Sequence, residues 1–278
     1  MSEFTLILAL VGFVAIPSRR MLLVILDGRW HSRVTEPHSL VVLRGLAVSN
    51  PVCGVCVYKK GVLGSWTQLG PALHGDQPGD CFGCSVSARF PHNDGEIVAV
   101  GACRALKTRG CIRVFQLSYS RSLGMGNIFK QTPKWMPVGR RLEGSQEGDS
   151  FGTSLSLSAD GRKLAVGALQ RTIHAPGYVQ VYSFENGHWK QDGSILRGTG
   201  ALGHFGAAIS LSDNGRWLAV GSYAHCSQGL VKNGVVKMLK KKREAKTGLS
   251  TKVTFQEKPM TNGSVLLSLC PCTNGNAP

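Results

Sequence analysis

Carboxylates are scarce in this chain: its 278 residues carry 16 Asp and Glu against 32 Lys and Arg, a formal charge of +16. Charge of either sign is thin, at 17% of residues where about a quarter is usual. Together with 42% hydrophobic residues, that composition excludes a disordered chain and a coiled coil. No sustained helical period runs through residues 40–238, which leaves an all-β chain. No Gly-x-Ser-x-Gly, phosphate loop or dinucleotide fingerprint occurs. The histidines (His31, His38, His74, His92, His174, His188, His204 and His225) include no pair at helical metal spacing, and solvated loop positions are expected for several. Glycine alone is in excess, with 35 residues against an ordinary share of ~7%. Without a collagen period, that excess predicts many turns.

Five marks recur in one order, three times over. The first copy reads Trp66-Thr-Gln-Leu-Gly70, Asp80-Cys-Phe-Gly83, Asn93-Asp-Gly95, Val98-Ala-Val-Gly101 and Ile112-Arg-Val-Phe115. The second reads Trp135-Met-Pro-Val-Gly139, Asp149-Ser-Phe-Gly152, Ala159-Asp-Gly161, Leu164-Ala-Val-Gly167 and Val179-Gln-Val-Tyr182. The third reads Trp189-Lys-Gln-Asp-Gly193, Gly203-His-Phe-Gly206, Asp213-Asn-Gly215, Leu218-Ala-Val-Gly221 and Val235-Val-Lys-Met238. Phe82, Phe151 and Phe205 lie 69 and 54 residues apart, the longer spacing absorbed mainly by an insertion at Ser118–Pro133. A half-repeat, Leu46-Ala-Val48 and Val55-Cys-Val-Tyr58, precedes them.

Each copy reads as a small antiparallel sheet. Ser154–Ser158 and Ala208–Ser212 alternate as half-buried strands do. Asp160-Gly161 and Asn214-Gly215 follow as hairpin turns, Leu164–Val166 and Leu218–Val220 return, and Val179–Tyr182 alternates again. Asn186-Gly187 then turns towards Trp189 and a fourth strand. Four strands per copy predict β-propeller-like blades of four antiparallel strands, in an incomplete or open propeller.

The Phe-Gly marks (Phe82-Gly83, Phe151-Gly152, Phe205-Gly206), the Ala-Val-Gly strands and the tryptophans Trp66, Trp135 and Trp189 resemble the FG-GAP repeat of the integrin α-chain β-propeller. The resemblance covers roughly residues 40–238. It implies a ring of about six or seven blades, where three and a half copies are visible here, and it favours a secreted or membrane-anchored setting. Calcium-binding blades of that family carry several oxygen ligands in one hairpin loop. The corresponding turns here end in Asp94-Gly95, Asp160-Gly161 and Asn214-Gly215, with Arg162 or Lys163 where a ligand is needed. No calcium, and no other metal or cofactor, is expected.

Cys53, Cys56, Cys81 and Cys84 form two C-x-x-C pairs at a spacing close to that of a zinc site. The repeat register argues against it, since Cys81 and Cys84 occupy the places of Ser150 and Thr153. Cys103 and Cys111 are a candidate disulfide at the mouth of a hairpin, with free buried thiols as the equal alternative. Acidic residues precede two of the Phe-Gly marks, Asp76 and Asp80, then Glu147 and Asp149; a turn or cap role is expected, and no catalytic residue is assigned.

Residues 1–39 form an apolar amino-terminal segment. Its uncharged run Phe4–Ile16 is shorter than the ~20 residues of a spanning helix, and it suits a signal core, an anchor, or, at Leu22–Leu26, a blade strand. Residues 40–238 hold the repeats: a half-repeat at 40–70 and blades at about 62–133, 134–188 and 189–238. Residues 239–278 form a basic, irregular tail around Lys240–Arg243, with a stray hairpin expected about Asn262-Gly263. No aromatics interleave with the basic run, so no nucleic acid is expected there. The leading function is a non-enzymatic scaffold for protein interaction. The rivals are an enzyme of hydrolase or oxidase type with its site in the propeller channel, and an incomplete gene product. An open stack would leave two terminal faces bare, exposing side chains of the kind of Leu155, Leu157, Ile209 and Leu211, and would self-associate.

Overall fold

The computed structural model describes residues 22–25, 40–47, 50–60, 65–89, 95–123, 129–170, 175–199, 203–223, 234–243 and 253–257. Among them are strands and turns and no helix. The first sheet holds β1 (Leu22–Ile25), β2 (Leu40–Ala47), β3 (Asn50–Lys60), β4 (Trp66–Gln68) and β5 (Leu73–His74). The second holds β6 (Phe82–Arg89), β7 (Ile97–Ala102), β8 (Cys111–Leu123), β9 (Phe129–Pro137) and β10 (Leu142–Glu143). The third holds β11 (Phe151–Leu157), β12 (Lys163–Ala168), β13 (Tyr178–Glu185), β14 (His188–Gln191) and β15 (Leu196–Arg197). The fourth holds β16 (Ala208–Leu211), β17 (Trp217–Ser222), β18 (Val235–Arg243) and β19 (Val253–Glu257). Every pairing is antiparallel, and no sheet closes into a barrel. The protein is all-β, in an open, propeller-like stack.

The core lies between consecutive sheets, in three layers. Phe82, Val86, Val98 and Val100 of the second sheet pack on Val55 and Val57 of the first. Phe151, Leu155, Leu157 and Leu164 of the third pack on Ile97, Ala99, Ile112 and Val114 of the second. Phe205, Leu211, Leu218 and Leu239 of the fourth pack on Ala165, Val179 and Val181 of the third. Strand alternation sends successive side chains to opposite faces, so each inner strand points its Phe backward to the sheet before and its serines forward to the sheet after. Leu155, Leu157 and Leu211 are therefore buried in joints, at 8%, 0% and 3% exposure.

The tryptophan strand closes the sheet that precedes it, which moves the unit boundaries. Trp66 pairs with Lys60, Trp135 with Leu117 and Trp189 with Phe184, each on the third strand of its own sheet. The units accordingly run 22–74, 82–143, 151–197 and 208–257, in place of 40–70, 62–133, 134–188 and 189–238. The half-repeat is a whole sheet. Leu22–Ile25 supplies its inner strand, as the blade-strand alternative has it, while Phe4–Ile16 lies outside the described residues. Its return strand also differs: Val41 faces Tyr58 as Val98 faces Phe115, so Val41–Leu43, and not Leu46–Val48, take the place of Val98–Val100.

The basic run Lys240–Arg243 is strand, not tail. It continues β18 and pairs with Val253–Glu257, where Phe255 faces Lys241 in the register that Trp189 keeps with Phe184. The hairpin expected about Asn262-Gly263 lies outside the described residues, apart from this strand.

Candidate interaction surface

Three joints connect the four sheets, and the second and third share one design. Phe151 N–H donates to the Arg109 carbonyl at 3.0 Å, and Phe205 N–H to the Pro176 carbonyl at 2.9 Å. The residue before each Phe (Cys81, Ser150 and His204) has positive φ, as do Gly83, Gly152 and Gly206. This left-handed pair turns the chain into the inner strand and aims the glycine carbonyl at the sheet before, a geometry that glycine adopts without strain.

Inner-strand serines clasp that carbonyl. Ser85 Oγ donates to Gly152 O and Ser154 Oγ to Gly206 O, both at 2.6 Å. One turn of the pleat further, Leu157 N–H donates to Ser87 Oγ at 3.1 Å and Leu211 N–H to Ser156 Oγ at 3.0 Å. The serine alternation that marks a half-buried strand in the sequence is thus a row of inter-sheet hydrogen bonds.

Glycine answers the same approach from the receiving sheet. A Cβ on Gly101 would overlap Gly152 O, and one on Gly167 would overlap Gly206 O. Tryptophan reaches back across the outer edge: Trp135 Nε1 donates to Leu69 O at 3.0 Å and Trp189 Nε1 to Val138 O at 2.9 Å. The Trp-x-x-x-Gly spacing follows, because the indole of the next sheet lies where a Cβ on Gly70 or Gly139 would stand. Much of the glycine excess therefore serves close approach between sheets, in addition to the turns that were expected. The Trp66 side chain lies outside the described residues.

Ion pairs close the outer edges. Lys59 and Glu96 meet at 3.3 Å across the first joint, where Arg113 and Arg141 share Asp76 at 2.9 and 3.2 Å. Lys241 meets Asp192 at 2.5 Å across the third. Burial alone would raise the Asp192 carboxyl, but hydrogen bonds from Lys241 and Ser183 and the nearby Lys241 and Lys163 charges hold it below the usual range.

The carboxylates before the Phe-Gly marks act as caps or ion pairs. Asp80 accepts the Gln77 N–H at 2.9 Å. Asp149, 1% exposed, accepts N–H groups of Ser145 and Gln146 at 2.8 and 3.1 Å. It also accepts the Tyr178 hydroxyl at 2.8 Å and the Gln170 amide at 3.1 Å. Burial, with the Asp149 hydrogen bond, pushes the Tyr178 hydroxyl far above its usual value. Glu147 lies on the surface opposite Lys107. The hairpin oxygens are likewise committed: Asp160 Oδ1 and Asn214 Oδ1 each accept the N–H of the arginine two residues on, Arg162 and Arg216, at 3.0 Å.

The described cysteines do not assemble as a metal site, and the Cys53 side chain lies outside the described residues. Val55 and Val57 face the second sheet, so Cys56, between them, faces away from Cys81 and Cys84. Burial raises its thiol pKa, which disfavours the thiolate a zinc ion needs. Among the described residues no three His, Cys, Asp or Glu converge as metal ligands. The candidate disulfide is not formed: Cys103 and Cys111 are both buried thiols. The register sets Cys111 opposite Ala102, one residue short of Cys103, and burial pushes the Cys111 thiol up to about 11. Of the histidines, His188 lies in β14 and His204 takes the left-handed place before Phe205, its ring stacked on Tyr223. His31, His38, His92, His174 and His225 lie outside the described residues.

The forward face of the fourth sheet is the exception to this pattern; a bare terminal face is expected of an open stack, but sequence reasoning did not name the residues that form it. Trp217, Ala219, Val236 and Met238 stand where Ile97, Ala99, Ile112 and Val114 are buried in the second sheet, yet they stay partly exposed. Ser210, the counterpart of Ser87 and Ser156, is exposed. Around the absent Cβ of Gly221 there is only Ala208 of its own sheet, at ordinary contact distance. Lys240 Nζ lies 5.0 Å over the Trp217 ring, shielding one edge. The acceptor half of the joint is thus present with no strand seated on it among the described residues. The chain matches no protein-family model and no curated protein sequence.

Proposed function

We propose that the chain is a non-enzymatic interaction scaffold of the FG-GAP, integrin-α-like kind, which binds protein through the forward face of its fourth sheet. The observation that carries this reading is the acceptor geometry kept on that face: Gly221 without a Cβ, Ser210 with an exposed hydroxyl, and partly exposed Trp217, Val236 and Met238. A contiguous apolar patch of this kind marks an interaction site on a soluble protein. The inner strands β6, β11 and β16, where a channel enzyme would set its chemistry, consist of small and apolar residues with one charge, Arg89. The occupant is a second copy of this chain or another protein that offers a matching sheet face.

Sedimentation velocity of the full chain over a range of concentrations tests the proposal. Association is expected that Met238→Lys abolishes while the unfolding midpoint stays unchanged. A monomer at every concentration that also ignores added sheet-bearing partners would overturn it, as would turnover by the pure chain on ester, phosphoester or redox substrates.

A further inference from the structure

We propose that Cys84 and Cys103 are a redox pair, two thiols that a small disulfide oxidant, glutathione disulfide, converts into a crosslink beside the Phe-Gly turn of the second sheet. The Cys103 N–H donates to Cys84 Sγ at 3.2 Å, although the two residues are 19 apart in sequence. A β-bulge produces this contact. Phe82 faces Ala102 and Ser85 faces Gly101, which leaves Cys84 beside the residue that follows Ala102. The Cys103 Cβ is two bonds from that nitrogen, so a change of rotamer, with the backbone in place, carries its sulfur to Cys84.

The fold does not call for thiols at these places. All three Phe-Gly turns close alike, with an N–H donated by Cys84 to Cys81 O, by Thr153 to Ser150 O and by Ala207 to His204 O. The residues that correspond to Cys84 and Cys103 are Thr153 and Leu169 in the third sheet, and Ala207 and Tyr223 in the fourth. The turn thus accepts a hydroxyl, a methyl group, an aliphatic chain or a ring at the same two positions. Of the three Phe-Gly turns, only that of the second sheet carries both sulfurs.

Exposure sets the order of the steps. Cys84 is half-buried and Cys103 is buried, at 7% exposure, so the oxidant meets Cys84 first. The Cys84 thiolate attacks one sulfur of glutathione disulfide and expels glutathione as a thiolate, leaving a mixed disulfide. Cys103, deprotonated, then attacks Cys84 Sγ and expels the second glutathione. The protein gives up two electrons and two protons, and the oxidant takes them up as two molecules of glutathione. In the product Cys84 has no S–H, so its hydrogen bond to Gly152 O at 3.4 Å is lost, while Ser85 Oγ keeps that carbonyl at 2.6 Å. The second joint therefore survives oxidation, and the crosslink closes the β6–β7 hairpin.

Incubation of the full chain with excess glutathione disulfide, followed by alkylation of the remaining thiols and tryptic mapping, tests the proposal. The peptide ending at Arg89 is expected to be linked to the peptide ending at Arg104. The pair should be lighter than its parts by two hydrogen atoms and should separate in dithiothreitol, with Cys111 alkylated. Cys84→Thr, the side chain found at that place in the third sheet, should reduce the linked product at least about tenfold, whereas Cys81→Ser should leave it within about twofold. If a variant fails to fold, fragmentation of the wild-type linked peptide still places the bond at Cys84 or at Cys81. A Cys103 that stays alkylatable would overturn the proposal, as would a bond from Cys103 to Cys81 or Cys111. So would glutathione retained on Cys84 as a stable mixed disulfide, because Cys103 would then be out of reach.

Discussion

The forward faces of the third and fourth sheets share the Leu-Ala-Val-Gly strand and meet different fates. On the third, Ala165, Val179 and Val181 are buried to 0%, 0% and 3% exposure under Phe205, Leu211 and Leu218. On the fourth, the matching Ala219, Val236 and Met238 remain partly exposed. Leu-Ala-Val-Gly is the same tetrapeptide in both, at Leu164–Gly167 and Leu218–Gly221. Burial is thus conferred by the next Phe-Gly unit and not by the strand itself.

The largest separation of the two faces should come from deleting apolar bulk. Phe151→Ala removes a fully buried ring and should cost about 3–5 kcal/mol in urea unfolding, whereas Met238→Ala should cost under about 1 kcal/mol. Similar costs at the two sites would mean that the fourth sheet is covered after all.

Next in size is the pair of glycines. A methyl group at Gly167 would overlap Gly206 O, and at Gly221 it would rest in ordinary contact with Ala208. Gly167→Ala should destabilise by roughly 1–3 kcal/mol through displacement of the fourth sheet, and Gly221→Ala should move the midpoint by less than about 1 kcal/mol in either direction. Equal effects would erase the distinction between receiving and open faces.

Asp192→Asn should cost about 1.5 kcal/mol, since Lys241 would lose its charged acceptor and face Lys163 alone. The pH dependence has a definite sign. The carboxyl is held below its usual value in the folded state, so its contribution is full above the unfolded-state value of about 3.9 and is lost as pH falls through the folded value. The stability gap between wild type and Asp192→Asn should therefore be flat from about pH 5 to 7 and close below about pH 4. A gap that widens on acidification would contradict the ion pair. Smallest is Ser154→Ala, about 1 kcal/mol for a serine bonded across the joint, set against no measurable change for Ser210→Ala on the open face.

Strand order, hairpin turns and the four-strand unit could be read from the sequence because period-two alternation and Asp-Gly or Asn-Gly pairs are local signals. What escaped were relations between units. Trp189 lies in a fourth strand as expected, but its indole bonds to Val138 O in the sheet before, and nothing within its own segment announces that partner. Leu46-Ala-Val48 imitates the Leu-Ala-Val of the later copies, whereas hydrogen-bond register selects Val41–Leu43. Phe255 takes a tryptophan's place at a distance from any Phe-Gly mark, so composition alone left residues 253–257 in a tail. That an open stack leaves a terminal face bare was legible, but its residues were not: Val236 and Met238 look like core in sequence, and only the absence of a following unit among the described residues leaves them partly exposed.

Oxidative footprinting of the dilute monomer tests the open face most directly, with modification at Trp217 and Met238 read against Trp135 as a buried reference and Met136 as an exposed one. Trp217 and Met238 should react at rates near that of Met136 and at least tenfold above Trp135, and should become protected as the chain associates. Protection of Trp217 and Met238 to the level of Trp135 in the monomer would show a covered fourth sheet and contradict the open stack.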